Sequence, residues 1–303
     1  MSLDALVKRG AGRVVEHAAF GARTTYRVGG TVRALVTLSS RADLEELGSL
    51  MANAGLAIFI LGNGSNLLVA DGEHAVLGVH LVGEFAGLDF RDVDDRVIVR
   101  AGAGLDLPVA ARRLASEGIV GFEWAVGVPG TFGGAVKMNA GGHGSDMAAS
   151  LLEVEVWREG AITTLASDAL QLDYRTSSLE ADQIVLSATL RLERGDSALS
   201  LEQIRSIVRW RREHQPGGAN AGSVFRNPPG DHAGRLIEAA GCKGLRVGTA
   251  SVSEKHANFI IADADGSAND VYDLLSVIRA RVLASSGVAL QCEHRFLGFQ
   301  DES

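Results

Sequence analysis

The sequence predicts a mixed α and β fold of the soluble, globular kind. Three observations carry this. Short apolar runs with strand character alternate with stretches whose apolar residues recur at helical spacing. The composition is ordinary, with 46% hydrophobic and 22% charged residues over 303 positions. Gly is abundant (37) and Pro scarce (5), and the glycines cluster beside strand-like runs. A chain of this length holds two domains or one large one, with enough core to fold without staples.

The elements follow in order. Ser40-x-x-Asp43 resembles a capping box and opens a helix striped by Leu44, Leu47, Leu50 and Met51, with Gly55 as its stop. Residues 57–61 read as a buried strand, and 67–72 as strand and turn. Residues 97–100 form another strand, and 107–116 a helix that tolerates Pro108 near its start. A long irregular tract is expected from Gly118 to Gly144; Phe122, Trp124, Val126, Val128 and Phe132 argue against its being disordered. Strands return at 152–157 and 184–192. The polar break 192–196 sets a domain boundary, dividing residues 20–194 from 195–303. Beyond it a helix over 201–213 carries Leu201, Ile204, Ile207 and Val208 on one stripe. Asp231 is the expected cap of a short helix that runs through Ala240 and stops at Gly241. A strand ends at Phe259-Ile260-Ile261. Ser267-x-x-Asp270 then opens an amphipathic helix with Val271, Leu274, Leu275, Ile278 and Val282, stopped by Gly287. Val288, Leu290 and Cys292 alternate with Gln291, Glu293 and Arg295, which predicts a period-two strand.

Several function classes drop out. Net charge is −8, so no basic stripe for nucleic acid is expected. Two cysteines, Cys242 and Cys292, are too few for a disulfide framework or a zinc site, and a reduced, cytoplasmic setting is the default. The segment 1–10 carries Asp4 and lacks a long apolar core, so no signal peptide is expected. No apolar run approaches the roughly 18 residues of a membrane span, so no membrane partner is expected. The eight histidines show no HxxxH or HExxH spacing, so no metal is expected. No P-loop sequence occurs. The loop Gly62-Asn-Gly-Ser-Asn-Leu67 follows a strand but fails the Rossmann pattern, because Leu67 replaces the third glycine and no helix follows. Alone it reads as a tight turn. Together with the 121–144 cluster it changes meaning: two glycine-rich loops on strand scaffolds suit a ligand with a pyrophosphate and a large flat ring.

Five motifs in order, Leu61-Gly-Asn-Gly-Ser-Asn-Leu-Leu-Val69, Val126-Gly-Val-Pro-Gly-Thr-Phe-Gly-Gly-Ala135 with Met138-Asn-Ala-Gly141, Tyr174-Arg-Thr-Ser177, Gly222-Ser-Val-Phe-Arg-Asn-Pro228 and Val252-Ser-Glu-Lys-His-Ala-Asn-Phe259, resemble the UDP-N-acetylenolpyruvoylglucosamine reductase (UDP-N-acetylmuramate dehydrogenase) family. The resemblance covers about residues 20 to 299. It implies an α+β fold: a vanillyl-alcohol-oxidase-like (PCMH-type) FAD-binding region of two α+β subdomains over 20–194, plus a smaller α+β substrate-binding domain over 195–303. The short stretch after Arg175 resembles the compact subclass that lacks a tyrosine-bearing substrate loop.

The implied reaction runs in two stages. NADPH gives hydride to non-covalently held FAD. UDP-N-acetylglucosamine-enolpyruvate then takes that hydride at its methylene carbon, giving UDP-N-acetylmuramate for peptidoglycan. The resemblance assigns Arg175 to the developing carboxylate charge, Ser223 to proton donation, and Glu293 to the same charge, a role it fills best if protonated. It places FAD against Gly62, Asn63, Gly64, Ser65, Asn66, Leu67, Pro129, Gly130, Thr131, Gly133, Gly134, Asn139 and Gly141. It places the sugar nucleotide against Tyr174, His214, Asn227, Lys255, His256 and Asn258, and the helix stripe adds Arg211 as a ligand contact. Arg211 falls inside the apolar stripe of its helix, whereas Arg205, Arg209 and Arg212 share a solvated one. The chain departs from the family at His214, where a lysine is usual, and at Ala262, where an asparagine is common. His256 also fits a satisfied core histidine. A monomer is expected. Two other readings stay open: an FAD-dependent alcohol oxidase of the same fold, and a catalytically silent nucleotide-sugar or flavin-binding protein. Both predict other residues at 175, 223 and 293.

Overall fold

The runs near 152–157 and 184–192 become Leu151–Arg158 and Ile184–Arg194, paired antiparallel at the centre of a six-stranded sheet. Ala161–Ala166 flanks the first; Arg96–Gly102 and then Leu88–Val93 flank the second, with Ile119–Val120 joining Ile184–Arg194 as a side strand. Ile184–Arg194 is buried on both faces at its Ile-Val-Leu start and alternates farther on, with Leu190 and Leu192 buried and Arg191 exposed. This computed structural model describes residues 14–54 and 57–299, and for 49–54 the backbone only. The stop at Gly55, the Leu50 and Met51 side chains and the segment 1–10 lie outside the described residues.

The chain forms two units. One comprises Met1–Glu16, Ala34–Asn63 and Ala75–Arg211; the other comprises His17–Arg33, Gly64–His74 and Arg212–Ser303. This division differs from the expected split at 195: residues 195–211 stay with the first unit, and two early segments join the C-terminal part. Both units mix helix and sheet, as the α+β class requires.

In the first unit the helix Arg41–Ala54 begins as its capping signal implies: Asp43 Oδ2 accepts the Ser39 and Ser40 N–H groups at 2.6 and 2.9 Å. Leu107–Ser116 buries Leu107, Ala110, Ala111, Leu114 and Ala115, a helical stripe packed into the core. The tract 118–144 is not irregular. It holds Ile119–Val120, a 3-10 turn Glu123–Gly127, the helix Phe132–Lys137 and the hairpin Gly141–Gly142 with Ser145–Asp146. Gly133 and Gly134 hid the helix, since glycine is a poor helix former. Packing fixes the tract: the Phe122 ring stacks on Phe132 at 5.4 Å and meets Trp124 edge-on at 5.3 Å. The following helix spans Ser197–His214, opened by Asp196 Oδ1, which accepts the Ala198 N–H at 2.7 Å. Ile204 and Ile207 are buried, but Val208 is exposed and leaves the expected stripe.

In the second unit Arg246–Val247, Ala250–Val252 and Ile260–Ala262 form a three-stranded antiparallel sheet. The helix Ala268–Ser286 buries Val271, Leu274, Leu275, Ile278 and Val282. Ser267 Oγ accepts the Asn269 and Asp270 N–H groups, and Gly287 closes the other end at φ 73°. Replacing Ser267 by Ala should lower stability by about 1 kcal/mol, read as a shift in the urea midpoint. Asp231 is not the cap of the short helix Ala233–Ala239; His232 holds that place. The Asp231 carboxylate instead accepts the His232 N–H and pairs with Arg235. The strand expected over 288–295 also changes. Only Arg295–Leu297 is strand, parallel to Leu67–Val69, while Cys292 makes a single bridge to Phe225. Alternation there reflects contacts with successive loops, not one ladder. Among the described residues no helix is long and apolar enough to cross a membrane, and no group of three or more His, Cys, Asp or Glu is placed to hold a metal ion.

Candidate active site

The strand Ala57–Leu61 delivers the chain into the first glycine loop. A Cβ at Gly62 would stand 2.6 Å from Thr131 Oγ1, so the first loop and the 129–134 loop approach at main-chain distance. The second loop is pinned from behind: Leu107 N–H donates to Gly130 O at 3.0 Å, Phe132 N–H to Leu105 O at 2.9 Å and Gly133 N–H to Ala103 O at 2.8 Å. Asn63 Nδ2 donates to Asp106 Oδ1 at 2.5 Å. Asp106 was not singled out from the sequence, though an aspartate just before Leu107-Pro108 is an N-cap signal. It makes no side-chain cap bond and holds the glycine loop instead. Past Asn63, Gly64 adopts φ 61° and its carbonyl accepts the Thr25 N–H at 3.2 Å. The converging loops, bare of side chains at Gly62 and Gly64, fit the pyrophosphate and ring edge of a flavin nucleotide.

Arg175 sits in a turn that the same unit builds. Asp173 and Thr176 exchange main-chain hydrogen bonds at 3.2 and 3.1 Å. Between them Arg175 adopts φ 57°, left-handed backbone unusual for a side chain of this size. Its Nη2 donates to Gly141 O at 2.9 Å, and its guanidinium lies 5.3 Å from the exposed Tyr174 ring. Asn139 is buried at 4% exposure, donates to Asp173 O at 3.1 Å and accepts the Ala148 N–H at 3.0 Å. Ser177 Oγ donates to Lys137 O at 2.7 Å, and Lys137 Nζ donates to Leu179 O. Ser177 and Lys137 join Asn139 as supports; no spacing rule pairs 137–141 with 173–179. On the helix Ser197–His214, Arg211 is half-buried, which lowers its basicity from the ordinary guanidinium value. Burial also lowers the pKa of His143, with Arg211 a second cause. The His143 ring meets Trp210 edge-on at 5.3 Å.

In the second unit Ser223 follows Gly222 (φ 80°) in a loop held by its main chain. Gly222 N–H donates to Asn220 Oδ1 at 3.1 Å, and Val224 N–H to Asn258 O at 3.0 Å. The buried Asn258 amide bonds Phe225 on both sides, accepting its N–H at 3.0 Å and donating to its carbonyl at 2.8 Å. Glu293 N–H donates to Val224 O at 2.9 Å. Asn66 Nδ2 donates to Glu293 O at 3.0 Å, and Arg295 N–H to Asn66 O at 2.9 Å. Loop ends 66–67, 222–226 and 291–295 thus meet in one network. Asn227 Oδ1 accepts the Ala233 N–H at 3.0 Å, and Lys255 Nζ donates to Arg212 O at 2.6 Å. His256 is half-buried; burial lowers its pKa, and its Nδ1 accepts the Asn258 N–H at 3.2 Å. His214 is exposed. Ala262 offers only main chain, its N–H donating to Ala219 O at 2.9 Å.

Comparison with known proteins matches this geometry. Residues 32–164 fit the profile described as FAD binding domain, and residues 214–297 fit that of UDP-N-acetylenolpyruvoylglucosamine reductase, C-terminal domain. UDP-N-acetylenolpyruvoylglucosamine reductase 2 of Symbiobacterium thermophilum is 40% identical over 293 residues, covering 96% of this chain and 94% of its own. The Bacillus subtilis UDP-N-acetylenolpyruvoylglucosamine reductase is 34% identical over 300 residues, covering 98% of each. The crystal structure of UDP-N-acetylenolpyruvylglucosamine reductase from Thermus caldophilus superposes with a TM-score of 0.80 at 35% identity, over 94% of this chain and 98% of that one. The α+β fold with an FAD-binding domain over residues 32–164 is shared with the Thermus caldophilus reductase structure. With sequence, fold and both domain profiles agreeing along nearly the whole chain, this protein belongs to the UDP-N-acetylenolpyruvoylglucosamine reductase family, a family of oxidoreductases.

Proposed function

We infer that the protein is an FAD-dependent, NADPH-consuming reductase that converts UDP-N-acetylglucosamine-enolpyruvate to UDP-N-acetylmuramate, working as a cytoplasmic monomer in peptidoglycan precursor synthesis. The observation that carries this is the 2.9 Å bond from Glu293 N–H to Val224 O, which fixes an acid and an alcohol, Glu293 and Ser223, on neighbouring loop ends. An alcohol oxidase or a silent binding protein has no need of that pair.

The 62–67 and 129–134 loops would hold FAD through main-chain amides, and the bound group would supply two-electron transfer between NADPH and the substrate. Hydride addition pushes negative charge into the substrate carboxylate. Arg175 meets that charge with a planar guanidinium that can bind both carboxylate oxygens. Glu293 stabilises the same enediolate by hydrogen bonding. Ser223 gives its hydroxyl proton to the carbon next to the carboxylate and regains one from solvent. Arg211 and Lys255 supply cationic character toward the diphosphate, and His214 supplies a hydrogen-bonding ring. Tyr174, Asn227, His256 and Asn258 complete the sugar-nucleotide side.

The test is colour. Purified protein should be yellow, NADPH should bleach it without oxygen, and the enolpyruvyl sugar nucleotide should restore the colour. Colourless protein that refuses added FAD overturns the reading; bleaching without restoration by the sugar nucleotide removes the substrate assignment.

A further inference from the structure

We propose that Asn139 is a positioning residue for Arg175 rather than a flavin contact. This rests on the reading of Arg175 given above. Three observations carry it. The Asn139 side chain is buried, and both ends of its amide are engaged by protein: Nδ2 on Asp173 O, with Asp146 Oδ2 at 3.4 Å, and Oδ1 on Ala148 N–H. The carbonyl it grips, Asp173 O, is the one that accepts Thr176 N–H and so closes the turn containing Arg175. Arg175 itself stands in left-handed backbone, a conformation that persists only where its surroundings over-determine it. The hairpin beginning two residues after Asn139 contributes the Gly141 carbonyl that receives the guanidinium. One amide therefore ties the backbone of the turn to Asp146 and Ala148, on the far side of the hairpin whose near strand receives the arginine head.

Asn139 has φ 38°, which suits glycine. Asn139→Gly therefore deletes the amide without adding backbone strain. Asn139→Asp keeps the acceptor for Ala148 N–H but sets a carboxylate oxygen against Asp173 O and the Asp146 carboxylate. The two half-reactions separate the possibilities. In both variants flavin affinity and the rate of bleaching by NADPH should match the unaltered protein. Recolouring by the enolpyruvyl substrate should slow about 100-fold, the scale of a misplaced catalytic group. Arg175→Lys combined with Asn139→Gly should lose little more than Arg175→Lys alone. A loss of flavin affinity with both half-reactions falling together makes Asn139 a flavin contact and overturns the proposal. So does unchanged recolouring. Should Asn139→Gly fail to accumulate, Ser177→Ala, which frees the same turn from Lys137 O, is read on the same two rates. Failure of the parent reading looks different: the unaltered protein itself is bleached but never recoloured, and the Arg175 assignment falls with it.

Discussion

Ser223→Ala should leave a yellow protein that NADPH bleaches at the normal rate and that the enolpyruvyl sugar nucleotide reoxidises between roughly 10² and 10⁴ times more slowly, the usual contribution of a positioned general acid. The selectivity follows from how the loop is held. Val224, Phe225 and Gly222 are fixed by main-chain N–H groups donating to Asn258 and Asn220, and Glu293 is fixed through Val224 O. None of these bonds uses the Ser223 hydroxyl. Its removal should leave the loop in place and subtract only the proton. A serine hydroxyl is a weak acid, but the enediolate it meets is a strong base, so no histidine relay is required. Stopped-flow absorbance of the flavin in each half-reaction measures the effect. Equal slowing of both halves would make Ser223 a structural turn residue and leave the proton donor to be found elsewhere.

The parts of this fold legible in sequence are those whose signals are local. Ser267 and Gly287 bracket a helix whose buried side chains recur at helical spacing, and Leu107-Pro108 opens another in the same way. Ala161–Ala166 gave no such signal. It is an edge strand with most side chains exposed, so neither alternation nor an apolar run marks it. The segment 288–295 gave a false one. Its bonds go to Arg226, Val224 and Asn66 in turn, partners set by tertiary packing and invisible to a period-two pattern. The site divides likewise. Glycine loops and the Tyr-Arg-Thr-Ser and Gly-Ser-Val-Phe motifs are continuous in sequence and can be read directly. Asp106 holding Asn63, and Asn139 holding the turn of Arg175, join segments tens of residues apart and make sense only once the chain is folded.

Acid should destabilise the protein between pH 6.5 and 4 through His294, and His294→Phe should remove that part of the loss. His294 is 5% exposed, beside Glu293, and its ring meets the fully buried Tyr26 edge-on at 5.6 Å. Burial pushes its pKa down from 6.5 to about 4, with the Ala221 main chain opposing in part. The unfolded chain therefore binds a proton that the folded chain refuses. Stability from the neutral ring is complete above the unfolded value of 6.5 and drains away as pH falls toward 4. At pH 4.5 the loss from this group is about 2.5 kcal/mol relative to neutral pH. The carboxylates whose pKa values are lowered by hydrogen bonds and ion pairs, Asp92, Glu155, Asp231 and Asp270, also lose their contribution as pH falls, but from the ordinary carboxylate range downward. Burial also lowers the pKa values of His143 and His256, so they add losses of the same sign, and it is His294→Phe rather than the pH window that isolates this histidine. Phenylalanine keeps a flat ring against Tyr26 and cannot take up a proton. Urea midpoints from pH 7 to 4.5 should fall steeply for the unaltered protein and much less for His294→Phe. Parallel slopes would show that His294 is protonated in the folded state over this range, and would require a water or carbonyl at its ring to accept the charge.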